Sequence, residues 1–98
     1  MTDEVTIVDN PDEHRFEIHV GDTLAGFAEY KLLPTTIVIT HTEVDPAFEG
    51  KGLASRLVRR ALDVSRDTGL KVRPLCPYVA EWISRHPDYQ AMVEVEVE

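Results

Sequence analysis

Residues 36–69 decide the fold, and they read TIVITHTEVDPAFEGKGLASRLVRRALDVSRDTG. The run from Thr36 to Val44 is rich in β-branched residues, which is typical of a strand. After an Asp-Pro pair the apolar residues recur at a spacing of about 3.6 instead of two, which indicates a helix of about four turns that ends near Gly69. The sequence therefore predicts a strand, a glycine-containing turn and an amphipathic helix in direct succession.

Alternation along the predicted strand assigns its side chains to two faces. One face carries Ile37, Ile39, His41 and Glu43, and the opposite face carries Val38, Thr40, Thr42 and Val44. The helix that follows has an apolar stripe made of Leu53, Ala54, Leu57, Val58, Ala61 and Leu62. Its other side is mostly charged and is expected to be a solvated face.

Turn signals divide the first part of the chain into three further strands. Apolar clusters at residues 5–8 and 16–20 are separated by an Asn-Pro pair. A Gly-Asp pair at residues 21–22 is expected to close a hairpin onto a strand at residues 24–31. A Leu-Pro pair then ends this strand before the 36–44 strand, which has the clearest strand pattern in the chain. The first half of the sequence therefore predicts an antiparallel sheet.

The second half adds a crossover and a second helix. A short strand at residues 70–73 should lie parallel to the 36–44 strand through a right-handed crossover. A shorter helix starts near Pro77 and is ended by Pro87, and the tail at 94–98 is expected to be a frayed end or a weak edge strand. The predicted architecture is an α/β fold with a mixed, mostly antiparallel sheet of about five strands, a long first helix and a shorter second helix.

Chain length and cysteine content limit the class of protein. At 98 residues there is room for one core, so we expect a single domain over residues 1–98. No apolar run approaches the ~20 residues of a membrane span and the first residues are acidic, so we expect no membrane association and a cytoplasmic location. Cys76 is the only cysteine, which leaves no internal disulfide and no cysteine-based zinc site, and no metal is expected.

The charge balance is acidic. Eighteen Asp and Glu residues stand against ten Lys and Arg residues, for a formal net charge of −8. This surplus repels phosphate backbones, so we expect no nucleic-acid partner. It either suits a cationic substrate such as an amine or only keeps a small protein soluble.

The turn Glu49-Gly50-Lys51-Gly52 has the features of an anion site. The first backbone N–H groups of a helix have no internal acceptor, and a phosphate can supply one. The two glycines allow a close approach to the backbone, and the lysine adds a positive charge. The alternative is a plain strand-to-helix turn with two permissive glycines. The Walker and dinucleotide patterns do not fit, because their glycines have a different order and spacing.

This turn resembles the cofactor motif of the GNAT superfamily of acyl-coenzyme A-dependent N-acetyltransferases, [QR]-x-x-G-x-[GA]. Gly52 and Ala54 match the pattern, whereas Glu49 stands where the pattern has Gln or Arg. The chain looks most like a minimal subfamily, through His41-Thr42-Glu43-Val44, the glycine turn, Leu57-Val58 and Cys76-Pro77-Tyr78-Val79. The resemblance extends from residue 5 to about residue 92 and implies a reduced GNAT fold whose acceptor side is open.

The resemblance also implies the cofactor and the residues that hold it. The cofactor would be acetyl-CoA, and main-chain groups near Glu43 and Val44 would pair with its pantetheine arm. Backbone N–H groups would hold the pyrophosphate, from Gly50, Lys51, Gly52, Leu53, Ala54 and Ser55. The two parallel strands would splay at their ends, with the thioester between them.

Four side chains are candidates for the chemistry. Acyl transfer to an amine needs a base, and His41 or Glu43 on the long strand is the candidate. Tyr78 stands near where many GNAT enzymes place a tyrosine acid that protonates the thiolate. Cys76 lies before the second helix and is the candidate for a transient acyl-cysteine. The alternative for each is an ordinary structural role, as a strand residue, a packing aromatic or a buried small hydrophobe.

Together these features predict an acetyl-CoA-dependent N-acetyltransferase that acts on an amine, either a small molecule or a protein lysine. Another protein or a second subunit in a homodimer is one way to complete the open acceptor side. The first alternative is a coenzyme A-binding module that senses or recruits without turnover, which Glu49 favours. The second is a structural protein whose glycine turn binds nothing.

Overall fold

The computed structural model describes residues 4–94, which form a sheet with helices on one side. Five strands lie in the sheet in the order in which they occur in the chain. The strands are β1 Val5–Asn10, β2 Arg15–Val20, β3 Thr23–Leu32, β4 Thr36–Val44 and β5 Lys71–Pro74. The helices are α1 Leu53–Asp67 and α2 Pro77–Ser84, and short 3-10 helices lie at Pro11–Glu13, Pro46–Phe48 and Pro87–Met92. Within these described residues no helix is long and apolar enough to cross a bilayer.

Strand pairing confirms the predicted mixed sheet. Strands β1 to β4 are antiparallel neighbours, whereas β5 lies parallel to β4 with α1 in the crossover. The β2–β3 hairpin closes at the predicted turn, where Val20 pairs with Thr23 and Gly21 has a φ of 58°. Helix α2 begins at Pro77 as predicted, whereas the 3-10 helix that follows it was not predicted.

The core lies between α1, α2 and the sheet. The buried residues of the predicted α1 stripe are Leu53, Leu57, Val58, Ala61 and Leu62. They pack in one cluster with sheet residues such as Phe16, Ile18, Ile37 and Ile39. Ala54, which the stripe also included, is only half-buried and lines a cavity instead. Helix α1 ends at Asp67, near Gly69 as predicted, and Gly69 has a φ of 82°, the left-handed conformation that is common just after a helix.

A β-bulge at Thr40 corrects the predicted faces of β4. His41 pairs with Glu29 but Ile39 pairs with Tyr30, so Thr40 has no partner in the β3–β4 ladder. One extra residue shifts the alternation, and the residues after it change faces. The predicted shared face of Ile37, Ile39, His41 and Glu43 is therefore wrong. Thr42 and Val44 continue the face of Ile37 and Ile39, and His41 and Glu43 turn to the opposite face.

The sheet face opposite the helices is termed the open face. Trp82 of α2 contacts Ser55 of α1, so both helices share one side of the sheet, and no helix covers the other side within residues 4–94. The strand pairing places the following side chains on the open face: Arg15, Glu17, His19, Phe27, Glu29, His41 and Glu43. This surface is rich in charged and imidazole groups.

A hydrogen-bonded network on the open face is centred on Glu17, which is 7% exposed. Its carboxylate accepts hydrogen bonds from Arg15 Nε at 2.7 Å and Asn10 Nδ2 at 3.0 Å, and it lies 3.0 Å from His19 Nε2. Burial disfavours the ionised carboxylate, but the hydrogen bonds from Arg15, His19 and Asn10 outweigh it and lower the pKa of Glu17 to about 2. The ionised carboxylate therefore links β1 to β2.

The chain after the last helix returns to the edge of β5. Val93 forms a parallel bridge with Val72, and the N–H of Glu94 donates to the carbonyl of Val72 at 2.9 Å. The Glu94 carboxylate accepts hydrogen bonds from Thr36 and Arg73, which hold its pKa below the usual range. The rest of the predicted tail strand, residues 95–98, lies outside the described residues.

Candidate active site

Strand β4 continues past the end of β5, which leaves part of its edge unpaired. The β4–β5 ladder stops where Ile39 pairs with Pro74, and the N–H groups of Leu75 and Cys76 both donate to the carbonyl of Ile39, at 3.1 and 3.0 Å. Beyond Ile39, β4 has strand pairs only with β3 among the described residues. The outward backbone groups of this edge can therefore pair with an extended ligand.

A cavity of about 350 Å³ lies beside this edge. Its walls are β4, the turn after β4, the first turn of α1 and the first turn of α2. The lining residues are Thr42, Val44, Phe48, Glu49, Gly50, Gly52, Leu53, Ala54, Ser55 and Tyr78. The structure thus brings together most of the residues that were predicted to bind the cofactor, although their role as ligands stays a prediction.

Two glycines give the turn its shape. The Asp45 carboxylate accepts a hydrogen bond from the N–H of Ala47 at 2.8 Å, which starts the 3-10 helix that leads into the turn. Gly50 and Gly52 then have φ values of 81° and 73°, a conformation that strains residues with a side chain. A Cβ atom at either position would meet no atom within 4 Å. The space next to both glycines is therefore free for a ligand that approaches the backbone.

The first turn of α1 has N–H groups without helical acceptors. The first helical hydrogen bond runs from the N–H of Arg56 to the carbonyl of Gly52, at 3.2 Å. The N–H groups of Leu53, Ala54 and Ser55 precede it, and the N-cap glycine has no side chain to accept from them. Together with the positive end of the helix dipole, these donors fit an anion such as a pyrophosphate.

Two charged side chains flank this anion site with opposite effects. Glu49 lines the cavity, so its carboxylate opposes a bound phosphate. Lys51 does not line the cavity, and its ammonium group lies 5.7 Å from the centroid of the Phe48 ring. The attraction for an anion therefore comes from the backbone. For the Lys51 ammonium group to contribute as predicted, the side chain would have to move from the Phe48 ring towards the cavity.

Tyr78 forms the wall of the cavity on the α2 side. Its side chain is 42% exposed. Partial burial raises the pKa of the Tyr78 phenol, and the nearby Arg85 guanidinium opposes this increase in part. The hydroxyl group therefore stays protonated at neutral pH and can donate a proton, as the predicted acid requires.

Cys76 lies just behind the cavity. It is 4% exposed, and its thiol donates a weak hydrogen bond to the hydroxyl oxygen of Thr42, with Sγ and Oγ1 3.5 Å apart. Thr42 itself lines the cavity, so the thiol contacts a residue of the cavity wall. The thiol is thus placed beside the unpaired edge of β4.

His41 and Glu43 are not in this cavity. They lie on the open face as an exposed pair, with His41 Nε2 3.3 Å from Glu43 Oε1. The His41 ring is 6.1 Å from the ring of Phe27, measured between centroids. The structure therefore places the two predicted bases on one side of β4, and Cys76 and Tyr78 on the other. Both groups adjoin the same unpaired edge of the strand. Within residues 4–94 no cluster of His, Cys, Asp and Glu could hold a metal ion.

Two residues of the cavity, Thr42 and Phe48, were not predicted from the sequence. Thr42 was assigned to the face opposite the predicted bases, and no site role was given to it. The β-bulge at Thr40, which turns Thr42 towards the helices, leaves no signal in the sequence of the strand. Phe48 lies in the 3-10 helix between β4 and the glycine turn. Its position after a helix-starting Asp-Pro pair was the signal that could have identified it.

Comparison with known proteins identifies the family of the chain. The profile of the GCN5-related N-acetyl-transferase family matches residues 15–92. A curated relative, protein NATD1 of Xenopus tropicalis, is 35% identical over 52 residues, which are 53% of this chain and 48% of NATD1. The chain thus spans about half the length of the curated relatives that it matches.

Solved structures share the fold. A GCN5-like protein from Staphylococcus aureus has a TM-score of 0.70 at 21% identity, covering 95% of this chain and 90% of its own. The N-acetylglutamate synthase from Neisseria gonorrhoeae, solved with coenzyme A and N-acetyl-glutamate, has a TM-score of 0.61 at 18% identity, covering 83% of this chain and 21% of its own. These identities show the fold alone. The family profile covers most of the chain, and the chain therefore belongs to the GCN5-related N-acetyltransferase family.

Proposed function

We infer that this chain is an acetyl-CoA-dependent N-acetyltransferase that acts on an amine. The observation that carries this proposal is the continuity between the unpaired edge of β4 and the open N–H groups of α1. An extended arm that ends in a pyrophosphate fits both, and coenzyme A has this shape. The related fold of the N-acetylglutamate synthase was solved with coenzyme A, which makes it the ligand to test first.

The backbone would bind the acyl donor in two places. Main-chain groups near Glu43 and Val44 would pair with the pantetheine arm along the β4 edge. The pyrophosphate would accept hydrogen bonds from the turn and from the first residues of α1, between Gly50 and Ser55. The glycines at positions 50 and 52 support this, since open space lies next to each.

The side chains would supply the proton transfers. An amine acceptor must lose a proton before it attacks the thioester, and His41 or Glu43 would remove it from the open face. The Tyr78 hydroxyl would protonate the sulfur that leaves, from the cavity side. Acid and base thus act from opposite sides of β4. An acceptor that enters by the open face has room to be large, such as a lysine on a protein.

A coenzyme A-binding module without turnover is the second candidate. Glu49 favours it, because a carboxylate that lines the cavity weakens the binding of a phosphate group. Calorimetry with acetyl-CoA, followed by detection of released coenzyme A thiol in the presence of a lysine peptide or a polyamine, separates the candidates. Binding together with acetylated amine supports the enzyme. Binding without any acetylated amine supports the module, and no binding at millimolar acetyl-CoA contradicts both.

A further inference from the structure

Another cavity, of about 280 Å³, lies at the opposite end of α1 from the candidate active site. It is lined by Ile37 near the start of β4 and by Ser65 in the last turn of α1. The first cavity instead adjoins the end of β4 and Ser55, ten positions before Ser65 and so about 15 Å away along the helix. We call this second site the far cavity. The roles proposed above leave it unused.

The wall of the far cavity is largely apolar. The contributing apolar side chains are Phe16, Leu32, Ile37, Val64 and Leu70. Phe16 and Ile37 belong to the core and are 4% and 2% exposed, so this part of the wall is a fixed floor. Leu32 is 59% exposed and stands at the mouth. A ligand with an apolar body would cover this leucine and remove apolar surface from water.

The polar groups of the far cavity can only accept further hydrogen bonds. They belong to Asp9, Tyr30, Ser65 and Thr68. A carboxylate has only acceptors, and each hydroxyl has a single proton, which is already donated in all three cases. Tyr30 donates to the Asp9 carboxylate at 2.5 Å. Ser65 donates to the carbonyl of Ala61 at 2.8 Å, and Thr68 donates to the carbonyl of Ser65 at 3.0 Å. The polar part of a ligand must therefore be a hydrogen-bond donor.

The charge of the far cavity is negative. Its lining includes Asp9 and, among the described residues, no lysine, arginine or histidine. The last turn of α1 adds the negative end of the helix dipole. Burial and the hydrogen bond to Asp9 raise the pKa of the Tyr30 phenol, so this hydroxyl keeps its proton and stays a donor to Asp9. A cationic donor therefore fits the cavity better than a neutral or an anionic group.

We propose that the far cavity binds a primary amine with an apolar body, such as an arylalkylamine. An ammonium group has three N–H donors and no acceptor, which complements a lining made only of acceptors. It would lie at the mouth beside the exposed residues Asp9 and Thr68, and the apolar body would reach the floor. The site is separate from the proposed acetylation site, because His41 and Glu43 lie on the open face.

Three probes that differ in one functional group test this chemistry: 2-phenylethylamine, 2-phenylethanol and 3-phenylpropanoate. NMR titration of the ¹⁵N-labelled chain near neutral pH, without acetyl-CoA, gives both the affinity and the position of each probe. The amine should bind ~10-fold more tightly than the alcohol, the scale of one hydrogen bond to a charged group, and the carboxylate should bind most weakly. The amide signals of Val64, Thr68 and Leu70 should shift.

Matched variants assign the preference to one carboxylate. Asp9→Asn should reduce the preference for the amine over the alcohol to about twofold, because it removes the charge but keeps an acceptor for Tyr30. Asp12→Asn makes the same change of charge at an exposed residue that does not line the cavity, and it should keep the wild-type preference. Leu32→Ala should weaken the binding of the amine and the alcohol equally, since it removes apolar wall that both contact.

Equal affinities of the wild type for the amine and the alcohol, the absence of binding, or a preference that persists in Asp9→Asn would overturn the proposal. Amide shifts confined to His41 and Glu43 would also overturn it, because they would place the amine at the proposed acceptor site instead. Each of these outcomes leaves the proposed function intact, since that function fails only in the separate measurements with acetyl-CoA.

Discussion

The indole nitrogen of Trp82 donates a 2.8 Å hydrogen bond to the hydroxyl oxygen of Ser55. Trp82 is 5% exposed, so this N–H has little access to water. The bond connects α2 to the first turn of α1, the same turn that presents open N–H groups to the cavity. The position of Tyr78 on α2 is thus tied to the position of the candidate anion site.

Ser55→Ala should destabilise the fold, because it leaves the Trp82 N–H buried without an acceptor. We expect the free energy of unfolding to fall by about 1–2 kcal/mol in urea denaturation without ligand. Trp82→Phe should lower the free energy of unfolding less in the Ser55→Ala background than in the wild type, since in that background it removes an N–H donor that has no acceptor.

Ser84→Ala is the control for this pair. Ser84 is exposed, and its hydroxyl only donates to the Glu81 carbonyl within α2, so its loss should change stability by less than about 0.5 kcal/mol. Additive effects of the Ser55 and Trp82 changes would mean that the hydrogen bond has no energetic role.

Glu17→Gln should change the acid stability of the protein. The pKa of Glu17 is about 2 in the folded state and near 4.5 when unperturbed, so the ionised carboxylate stabilises the fold above pH 4.5. This contribution, about 3 kcal/mol, is lost as the pH falls from 4.5 towards 2. The variant should therefore be less stable than the wild type at pH 7 and similar to it at pH 2.

Urea denaturation across this pH range measures the effect. Glu13→Gln, at an exposed position, is the control and should follow the wild-type curve. A difference in the free energy of unfolding between Glu17→Gln and the wild type that stays constant from pH 7 to pH 2 would contradict the lowered pKa.

Replacing the proposed base, His41 or Glu43, should reduce turnover most at low pH, where the amine acceptor is most protonated. The two variants are His41→Gln and Glu43→Gln. Whichever of them removes the base should lower kcat/KM by about 100-fold near pH 6 and by less near pH 9. Thr40→Val, on the same strand, should keep the wild-type pH profile. If both substitutions leave the profile unchanged, neither residue carries the proton.

A transient acyl-cysteine would appear as an added mass. The acetyl carbonyl carbon would form a bond to Cys76 Sγ and lose its bond to the coenzyme A sulfur, which leaves as the thiol. Incubation with acetyl-CoA without an amine should then add one acetyl group to the intact mass, and Cys76→Ala should abolish the addition. A Cys76→Ala protein that keeps full turnover, with no adduct in the wild type, would show direct transfer to the amine.

Local patterns were sufficient to predict the order of the five strands and the two α-helices. The glycine turn and the change of periodicity after Val44 mark the start of α1, and Pro77 marks the start of α2. These signals depend only on neighbours in the chain, so they can be read without knowledge of the tertiary structure.

The positions of the candidate catalytic groups could not be predicted in the same way. Thr40 stands in a run that is rich in β-branched residues, and only the pairing of β4 with β3 shows that it bulges. That one residue moves His41 and Glu43 to the open face. The contact of Trp82 with Ser55 joins residues 27 positions apart, so the position of α2 against the first turn of α1 also depends on tertiary packing.

In the proposed enzyme, the backbone turn before α1 binds the pyrophosphate of acetyl-CoA. Gly52 and Gly69 offer a matched pair of positions, because both have a left-handed φ, 73° and 82°, and open space at the Cβ position. Only Gly52 lines the cavity; Gly69 follows the other end of α1. Aspartate at either position should therefore have a similar effect on the melting temperature.

Calorimetry with acetyl-CoA on Gly52→Asp and Gly69→Asp measures the role of the turn. Gly52→Asp should weaken binding by at least about 10-fold, because it places a side chain and a negative charge beside the pyrophosphate, while Gly69→Asp should bind like the wild type. Equal affinities for acetyl-CoA in the two folded variants would mean that the turn does not bind the pyrophosphate.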